Sequence, residues 1–576
     1  MRAGVRSPDR RHVVIADETP QCYPSDMEKR ASMGGRAARI PILLALSCVL
    51  GAGCDRGATG RASEKRPTRP NILFIVWDTV RADRLSLYGH VRKTTPFLDR
   101  WARDARIYEN CITVGSTTVP SHASMFTGLM PTEHRTTNEP GTHILPDAFD
   151  TLAELLKTSG YDAYAFVANP YLEQTEGKLS LMQGFDRVDY PWDQRHRARA
   201  LRITLGKIKT DDHSCTLAER VRRRQQLTRH NIKACGELAL PSMLEWLASR
   251  DSDKPFYAFI NYMETHAPLI PPEEYRRRLM TPEQVRKSYQ VDRRTESTWE
   301  YVFGLREYTS EENELTAATY DAALLELDDI GRILIETLSD QGYLDNTVVV
   351  IVGDHGEHLG EHHMLDHQYS VYEQLMRVPL IIHYPARFTP GCDARPVMNI
   401  DLFPTLLELA GLKSPVPTVG VNLLDAPAER IRLGEYPIPM SYTLKRAKKK
   451  APALDTRLWN RSLRAFYHEP YKFIQGSDGR HELYNLAEDP GELNNLLREI
   501  PDVARRLERE LLQYLAGLSE YAVVRSAADA VLDPDRRAML EQLGYAVTEE
   551  ENDAPSSLVP ETLPASRPAG APDSRP

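Results

Sequence analysis

No Cys-x-x-Cys pair occurs among the seven cysteines of this 576-residue chain, so a cysteine metal site is not expected. Basic excess is also missing. Lys and Arg number 72 against 81 Asp and Glu, a net charge of −9 at pH 7, and the basic face that a nucleic-acid binder needs is not there. No nucleic acid is expected as a partner, and small molecules are.

Long apolar runs are scarce as well. The stretch "IPILLALSCVLGAG", Ile40 to Gly53, follows Arg36 and Arg39; it is too short to cross a bilayer as a helix and right for a signal-peptide core. It ends at Cys54 in "GAGC", where a bacterial lipoprotein signal places its lipidated cysteine, although Gly51 stands where an aliphatic residue is usual. The reading is an exported protein, periplasmic or held at the cell envelope of a bacterium, touching membrane only through a lipid anchor on Cys54. A charged leader before such a core is unusual, which makes Met33 the expected start. Cys111, Cys215, Cys235 and Cys392 remain beyond the leader, and spacing leaves open both a Cys215–Cys235 disulfide and four free thiols.

What is present is a series of apolar runs, "NILFIVWD", "YDAYAFVANP", "FYAFINYMETH", "NTVVVIVGDHG" and "VPLIIHYP". Such runs fit strands buried on both faces of a parallel sheet. Helical patterns lie between them, among them "TLAELLKTSG" and "ATYDAALLELDDIGRILIETLSDQG", so the expected class is α/β, a large mostly parallel sheet flanked by helices. The expected organisation is a leader and signal at 1–54, a linker at 55–68, and a large α/β domain at 69–424. Helical insertions fall at about 193–250 and 273–312. A small α+β subdomain follows at 425–520, then a helical extension at 521–548 and a disordered tail at 549–576. In the subdomain, "SLRAFYHEPYKFIQ" and "HELYNL" read as two strand-like runs around the turn "GSDGR", with "PDVARRLERELLQYL" as a helix.

In open α/β sheets ligands collect at the carboxyl ends of the strands. Asp78, Asn169, His266, Asp354 and His355 all stand at such ends. Before a short, apparently amphipathic helix comes "STTVPSHASMFTG", in which Pro120 suits the first helical turn and puts Thr118 at or just before its start, facing the positive end of the dipole. The plain reading of Thr118 is a capping residue. The second dense stretch is "VVVIVGDHGEHLGEHHMLDHQ", with His355, His358, His362, His363 and His367; histidine at this density points to a metal or a phosphate-like anion. His358-Leu359-Gly360-Glu361-His362 matches the H-x-x-E-H of inverted zinc peptidases, but that motif needs a regular helix, and Gly356 and Gly360 each cost one about 1 kcal/mol.

The segments "PNILFIVWDTVRADRLSLYG", "TVPSHASMFTG", "FINYMETHAPLIPP", "YDAALLELDDIG", "DNTVVVIVGDHGEHLGEHH", "RVPLIIHYP", "DLFPTLLELAGL" and "ELYNLAEDPGELNNL" resemble, in order, the sulfatase family of the alkaline-phosphatase superfamily, over residues 69–546. The resemblance implies that fold with a small C-terminal domain. It puts the metal ligands on Asp78, Asp354 and His355, the nucleophile on Thr118 (also a ligand), the family's helix-start arginine on His122 and its leaving-group histidine on His266. Sulfatases carry two consecutive aspartates where this chain has Asp78-Thr79, a cysteine or serine at Thr118, and two lysines whose places fall to Asn169 and His367.

Sulfatases oxidise that cysteine or serine to formylglycine; threonine carries a methyl group on Cβ and cannot become the aldehyde, so no formylglycine is expected. Related superfamily members attack with a metal-activated threonine instead. The expectation is therefore a hydrolase of sulfate- or phosphate-type esters, with phosphodiester or phosphonate chemistry favoured. Its substrate is a small-molecule, glycan or lipid anionic ester. One divalent ion is expected, Mn²⁺ or Zn²⁺ favoured and Ca²⁺ as the other candidate. His122, Asn169 and His367 would face the ester oxygens and His266 would protonate the leaving group. The alternatives are a sulfuric ester hydrolase working without formylglycine, a phosphotransferase, and a non-catalytic surface-tethered binding protein.

Overall fold

The apolar runs lie side by side. In the computed structural model, which describes residues 69–139, 142–173, 181–207, 234–293 and 295–521, Asn71–Trp77 pairs in parallel with Phe256–Tyr262 on one side and with Thr347–Gly353 on the other. They form the middle of an eight-stranded sheet ordered Gly391–Asp393, Arg106–Tyr108, Leu380–His383, Thr347–Gly353, Asn71–Trp77, Phe256–Tyr262, Asp162–Val167, Arg187–Asp189. Only Leu380–His383 runs antiparallel to its neighbours.

The runs are continuous rather than alternating because both faces are covered. Ile72, Phe74 and Val76 pack into one apolar layer with Phe126 of helix Thr118–Thr127 and Phe403 of helix Leu402–Leu409. Leu73, Ile75 and Trp77 pack into the other with Leu324 of helix Ser310–Asp340 and Trp246 of helix Ala239–Ser249. The long helix starts on a capping box in which Thr309 accepts from Glu312 N, satisfying donors that the first turn leaves open.

Helix Thr118–Thr127 departs from the sequence reading: all ten of its residues are buried. Its polar side chains face protein instead of water. Ser121 Oγ donates to Asp354 O at 2.7 Å, and Ser124 Oγ lies 3.1 Å from His134 Nε2. The helix stops at Gly128, whose φ of 71° and place against the Phe403 ring leave no room for a Cβ.

The insertions fold as helices Gln194–Lys207 and Ala239–Ser249, and as Glu273–Leu279, Pro282–Ser288 and Thr295–Val302. Cys235 is a free buried thiol, 3.4 Å from Thr204 Oγ1 and 3.5 Å from Ala200 O; it is packed against Gln194–Lys207 instead of joined to Cys215, which lies outside the described residues. Cys54, the linker at 55–68, the extension beyond 521 and the tail also lie outside them.

The C-terminal sheet is antiparallel, Arg432–Tyr436, Leu463–His468, Tyr471–Gly476, Glu482–Asn485, with helix Pro501–Ala516 against it. The run "SLRAFYHEPYKFIQ" makes two strands, because Glu469-Pro470 forms the turn between them. This sheet grips the segment that leads into helix Thr118–Thr127: Glu435 N donates to Val114 O at 2.9 Å and Ser116 N to Glu435 O at 3.1 Å. Among the described residues no helix is long and apolar enough to cross a membrane.

Candidate active site

Asp78 follows the central strand Asn71–Trp77, and Asp354 with His355 follows its neighbour Thr347–Gly353. Parallel register, Trp77 opposite Gly353, therefore delivers the three side chains to one place. Ligand atoms of Asp78, Asp354 and His355 all lie within 4.8 Å of one another, and all three residues are fully buried. Gly356 is required at the next position, since a Cβ there would stand 1.9 Å from Gln374 O.

Each carboxylate is held by two N–H groups on one oxygen and left bare on the other. Asp78 Oδ2 accepts from Asn169 Nδ2 at 2.8 Å and Asn261 Nδ2 at 3.2 Å, while Oδ1 has no hydrogen-bond partner. Asp354 Oδ1 accepts from Thr79 N at 3.0 Å and His355 N at 2.8 Å, while Oδ2 has none. Thr79 reaches that bond with a φ of 60°, a costly backbone for a β-branched residue. Its hydroxyl turns away, donating to Asp78 O at 2.7 Å.

Thr118 is the first residue of its helix, and Thr117 is the N-cap. The Thr118 hydroxyl lies 3.2 Å from His355 Nε2 and accepts from Asn169 Nδ2 at 3.4 Å. His355 Nδ1 donates to Gly356 O at 3.0 Å, which leaves the Nε2 lone pair facing Thr118. One turn on, His122 Nδ1 donates to Thr118 O at 2.9 Å and stands 3.6 Å from Asp354 Oδ2.

Charge balance in this pocket is one-sided. Among the described residues neither aspartate is paired with lysine or arginine. Burial, then the neighbouring Asp354 charge, push Asp78 up to about 6, and burial pushes Asp354 up to about 7. Burial also holds His122 and His355 down at about 3, so both rings are neutral. Two bare buried carboxylate oxygens beside an imidazole lone pair are what a divalent cation needs, so the residues fit such an ion.

His367 stands beside this cluster, its ring centroid 4.6 Å from that of His355 and 5.1 Å from that of His266. Its Nδ1 lies 2.8 Å from Asp366 Oδ1 and 3.1 Å from Glu357 Oε2. Burial opposes charge on His367, but Asp366 and Glu357 outweigh it and hold the imidazolium well above its usual range. His266 Nδ1 donates to the adjoining Ala267 O at 2.6 Å.

Asp78, Thr118, His122, Asn169, Asp354 and His355 thus meet in one hydrogen-bonded cluster, which His367 and then His266 join by ring contact, whereas His358, His362 and His363 lie apart from it. Asn169 comes in against Asp78 and Thr118, and His122 comes in neutral. Four participants were missed: Asn261, Thr265, whose hydroxyl donates to Asp78 O at 2.6 Å, Glu357 and Asp366. Asn261 was the findable one, a lone amide inside "FYAFINY". The peptidase motif forms no regular α-helix: His358 is in a two-residue strand, His362 has a φ of 54° within a short 3-10 turn, and Glu361 pairs with Arg81 at 2.8 Å.

A mixed α/β sheet that gathers two aspartates, an imidazole and a helix-start hydroxyl at its strand ends has the residues of an enzyme that hydrolyses ester bonds. The comparisons narrow this. The Sulfatase family model matches residues 70–412, more than half the chain, and a model described as N-sulphoglucosamine sulphohydrolase, C-terminal, matches residues 360–517. The chain belongs to the sulfatase family. It is 25% identical to an N-acetylglucosamine-6-O-sulfatase of Bacteroides thetaiotaomicron, across 82% of this chain and 89% of that protein. It is also 25% identical to an arylsulfatase of Clostridium perfringens, across 78% and 95%. The phosphonate monoester hydrolase of Agrobacterium radiobacter shares the fold, with a TM-score of 0.60, 22% identity, and 78% and 96% of the two chains covered.

Proposed function

We propose that this chain cleaves anionic esters by a two-step displacement in which the Thr118 hydroxyl is the nucleophile, with phosphodiesters and phosphonates favoured over sulfate esters. One observation carries the reading. Thr118 Oγ1 is buried against His355 Nε2 and Asn169 Nδ2, whereas a capping threonine would turn its hydroxyl to its own helix amides.

Asp78, Asp354 and His355, with the Thr118 hydroxyl, would hold one divalent ion, Mn²⁺ or Zn²⁺ favoured. Such an ion, when bound, supplies Lewis acidity that lowers the hydroxyl pKa and offsets charge on the ester oxygens. His355 is a ligand in this reading and not the general base, since a ring held near 3 is a weak proton acceptor.

With its hydroxyl proton released to solvent, Thr118 Oγ1 forms a bond to phosphorus or sulfur as the bond to the ester oxygen breaks, and the His266 imidazolium gives that oxygen its Nε2 proton and is reprotonated from solvent. Water then cleaves the threonine ester. His367, held cationic between Asp366 and Glu357, faces the ester oxygens. Asn169 orients the attacking hydroxyl and bears on the bound ester, and His122 steadies the first helical turn through Thr118 O. Export on the Ile40–Gly53 signal with a lipid on Cys54, and the partition at residues 424 and 520, belong to the same proposal.

The second reading is hydrolysis of sulfated glycans without formylglycine, favoured by the likeness to the N-acetylglucosamine-6-O-sulfatase of Bacteroides thetaiotaomicron. Wild type and Thr118→Ala, each loaded with Mn²⁺ or Zn²⁺, are assayed on aryl sulfate, aryl phosphate, diaryl phosphate and aryl phosphonate. The proposal expects the diester or phosphonate to give the highest kcat/KM and Thr118→Ala to lose turnover. A sulfate ester in first place overturns the favoured substrate class. Undiminished turnover by Thr118→Ala overturns the nucleophile.

A further inference from the structure

Asn261 is the one amide in a strand otherwise made of Phe256, Tyr257, Ala258, Phe259, Ile260 and Tyr262, all seven residues buried. Burying an amide costs about 1–3 kcal/mol unless it is hydrogen-bonded. Here only half of it is: Nδ2 donates to Asp78 Oδ2 at 3.2 Å, and Oδ1 has no hydrogen-bond partner. Leucine would fill the position as its neighbours do, so packing gives no reason for the amide. Its contact with Asp78 does.

Resting on the reading of Asp78 as a cation ligand, we propose that Asn261 is a positioning residue: with Asn169 it clamps Oδ2 of Asp78 and leaves Oδ1 bare for the cation. Two neutral donors suit this task. A lysine on Oδ2 would neutralise the carboxylate and repel an incoming cation, whereas amides fix the carboxylate and add no charge. The neighbouring carboxylate has the same design, with Thr79 N and His355 N on Oδ1 of Asp354 and Oδ2 bare. Partners that hold a ligand in place through its other oxygen are worth about 10–100-fold in metal affinity.

The test titrates Mn²⁺ into full-length, chelator-stripped wild type, Asn261→Leu and Asp78→Asn, by calorimetry and by the rise in Tm on adding Mn²⁺. The proposal expects Asn261→Leu to bind Mn²⁺ about 10–100-fold more weakly, with a smaller Mn²⁺-induced rise in Tm, a metal-free Tm no lower than wild type, and kcat recovered at saturating Mn²⁺. A merely structural residue would do the reverse, lowering the metal-free Tm and leaving affinity alone. Wild-type affinity in folded Asn261→Leu overturns the clamp. If Asn261→Leu does not fold, the same titration of Asn261→Ala decides by the same criterion. Loss of binding in Asp78→Asn alongside wild-type affinity in the Asn261 variant defeats the clamp only; wild-type affinity in Asp78→Asn defeats the cation site beneath it.

Discussion

Thr118 Oγ1 and His355 Nε2 lie 3.2 Å apart, and the other nitrogen of that imidazole is committed to Gly356 O. The hydroxyl therefore meets a lone pair, never an N–H. Its proton can point at nitrogen while one lone pair meets Asn169 Nδ2 at 3.4 Å and the other stays available.

Removing this hydroxyl without disturbing the packing is the sharpest test of its role. Thr118→Val keeps the shape of a fully buried side chain and is expected to lower kcat by about 10³-fold or more, the scale on which an essential nucleophile is lost. Thr118→Ser keeps the hydroxyl and is expected to retain measurable turnover. Steady-state rates at saturating metal, with circular dichroism to verify folding, make the comparison.

The two aspartates set a pH dependence for cation binding. Their carboxyls are pushed up to about 6 and about 7 in the absence of a cation, so a cation must displace protons below that range. Affinity is expected to be level above pH 7 and to weaken as pH falls through about 7 and then about 6. Metal-free stability has the opposite slope. Both folded-state values are raised above the ordinary 3.8, so the folded protein holds more protons than the unfolded chain, and stability falls as pH rises from about 3.8 until both carboxyls have ionised above about 7. Calorimetry in two buffers of different ionisation enthalpy and Tm values of the stripped protein at pH 5 and pH 8 check both slopes.

Much of this site was legible in the sequence because apolar strands that close on polar residues announce both the sheet and its functional rim. Asp78, Asp354 and His355 are such endings, and parallel register alone brings them together. What was illegible depends on the third dimension. Helix Thr118–Thr127 looked amphipathic because serine and histidine usually face water, and here they face Asp354 O, Thr118 O and His134. Strand Arg432–Tyr436, "RLGEY", has neither alternation nor a long apolar run, and owes its place to pairing with Leu463–His468 and to the bonds from Glu435 to Val114 and Ser116. Glu357 and Asp366 carry no sequence pattern that sets them apart from other acids, and only the fold brings them against His367.

That pair of acids leads to a prediction for His367. Glu357→Gln keeps a hydrogen-bonding side chain and removes one of the two charges that outweigh burial at the imidazole. The imidazolium is then lost at lower pH. If its charge supports turnover, the alkaline limb of the kcat/KM profile moves toward neutrality in Glu357→Gln, with Asp366 sustaining the acid side. An unmoved limb removes His367 from the charged role.

Tyr320 offers a test of how the strained turn at Thr79 serves Asp354. Its hydroxyl donates to Thr79 O at 2.7 Å and accepts from Arg81 N at 3.1 Å, pinning both sides of the residue with a φ of 60°. That conformation aims Thr79 N at Asp354 Oδ1, so relaxing it frees Asp354 to turn and its bare oxygen to leave the cluster. Tyr320→Phe removes the pin and leaves Thr79 O and Arg81 N without it, at a cost of about 1–3 kcal/mol in stability. Cation affinity is expected to fall as well, although Tyr320 is not among the groups offered to the cation. Thr79→Gly separates the two effects: glycine holds a positive φ without strain, so the same Tyr320→Phe change made on a Thr79→Gly background should cost much less cation affinity. Equal losses on both backgrounds, measured by Mn²⁺ titration, would show that the pin acts through something other than the strained turn.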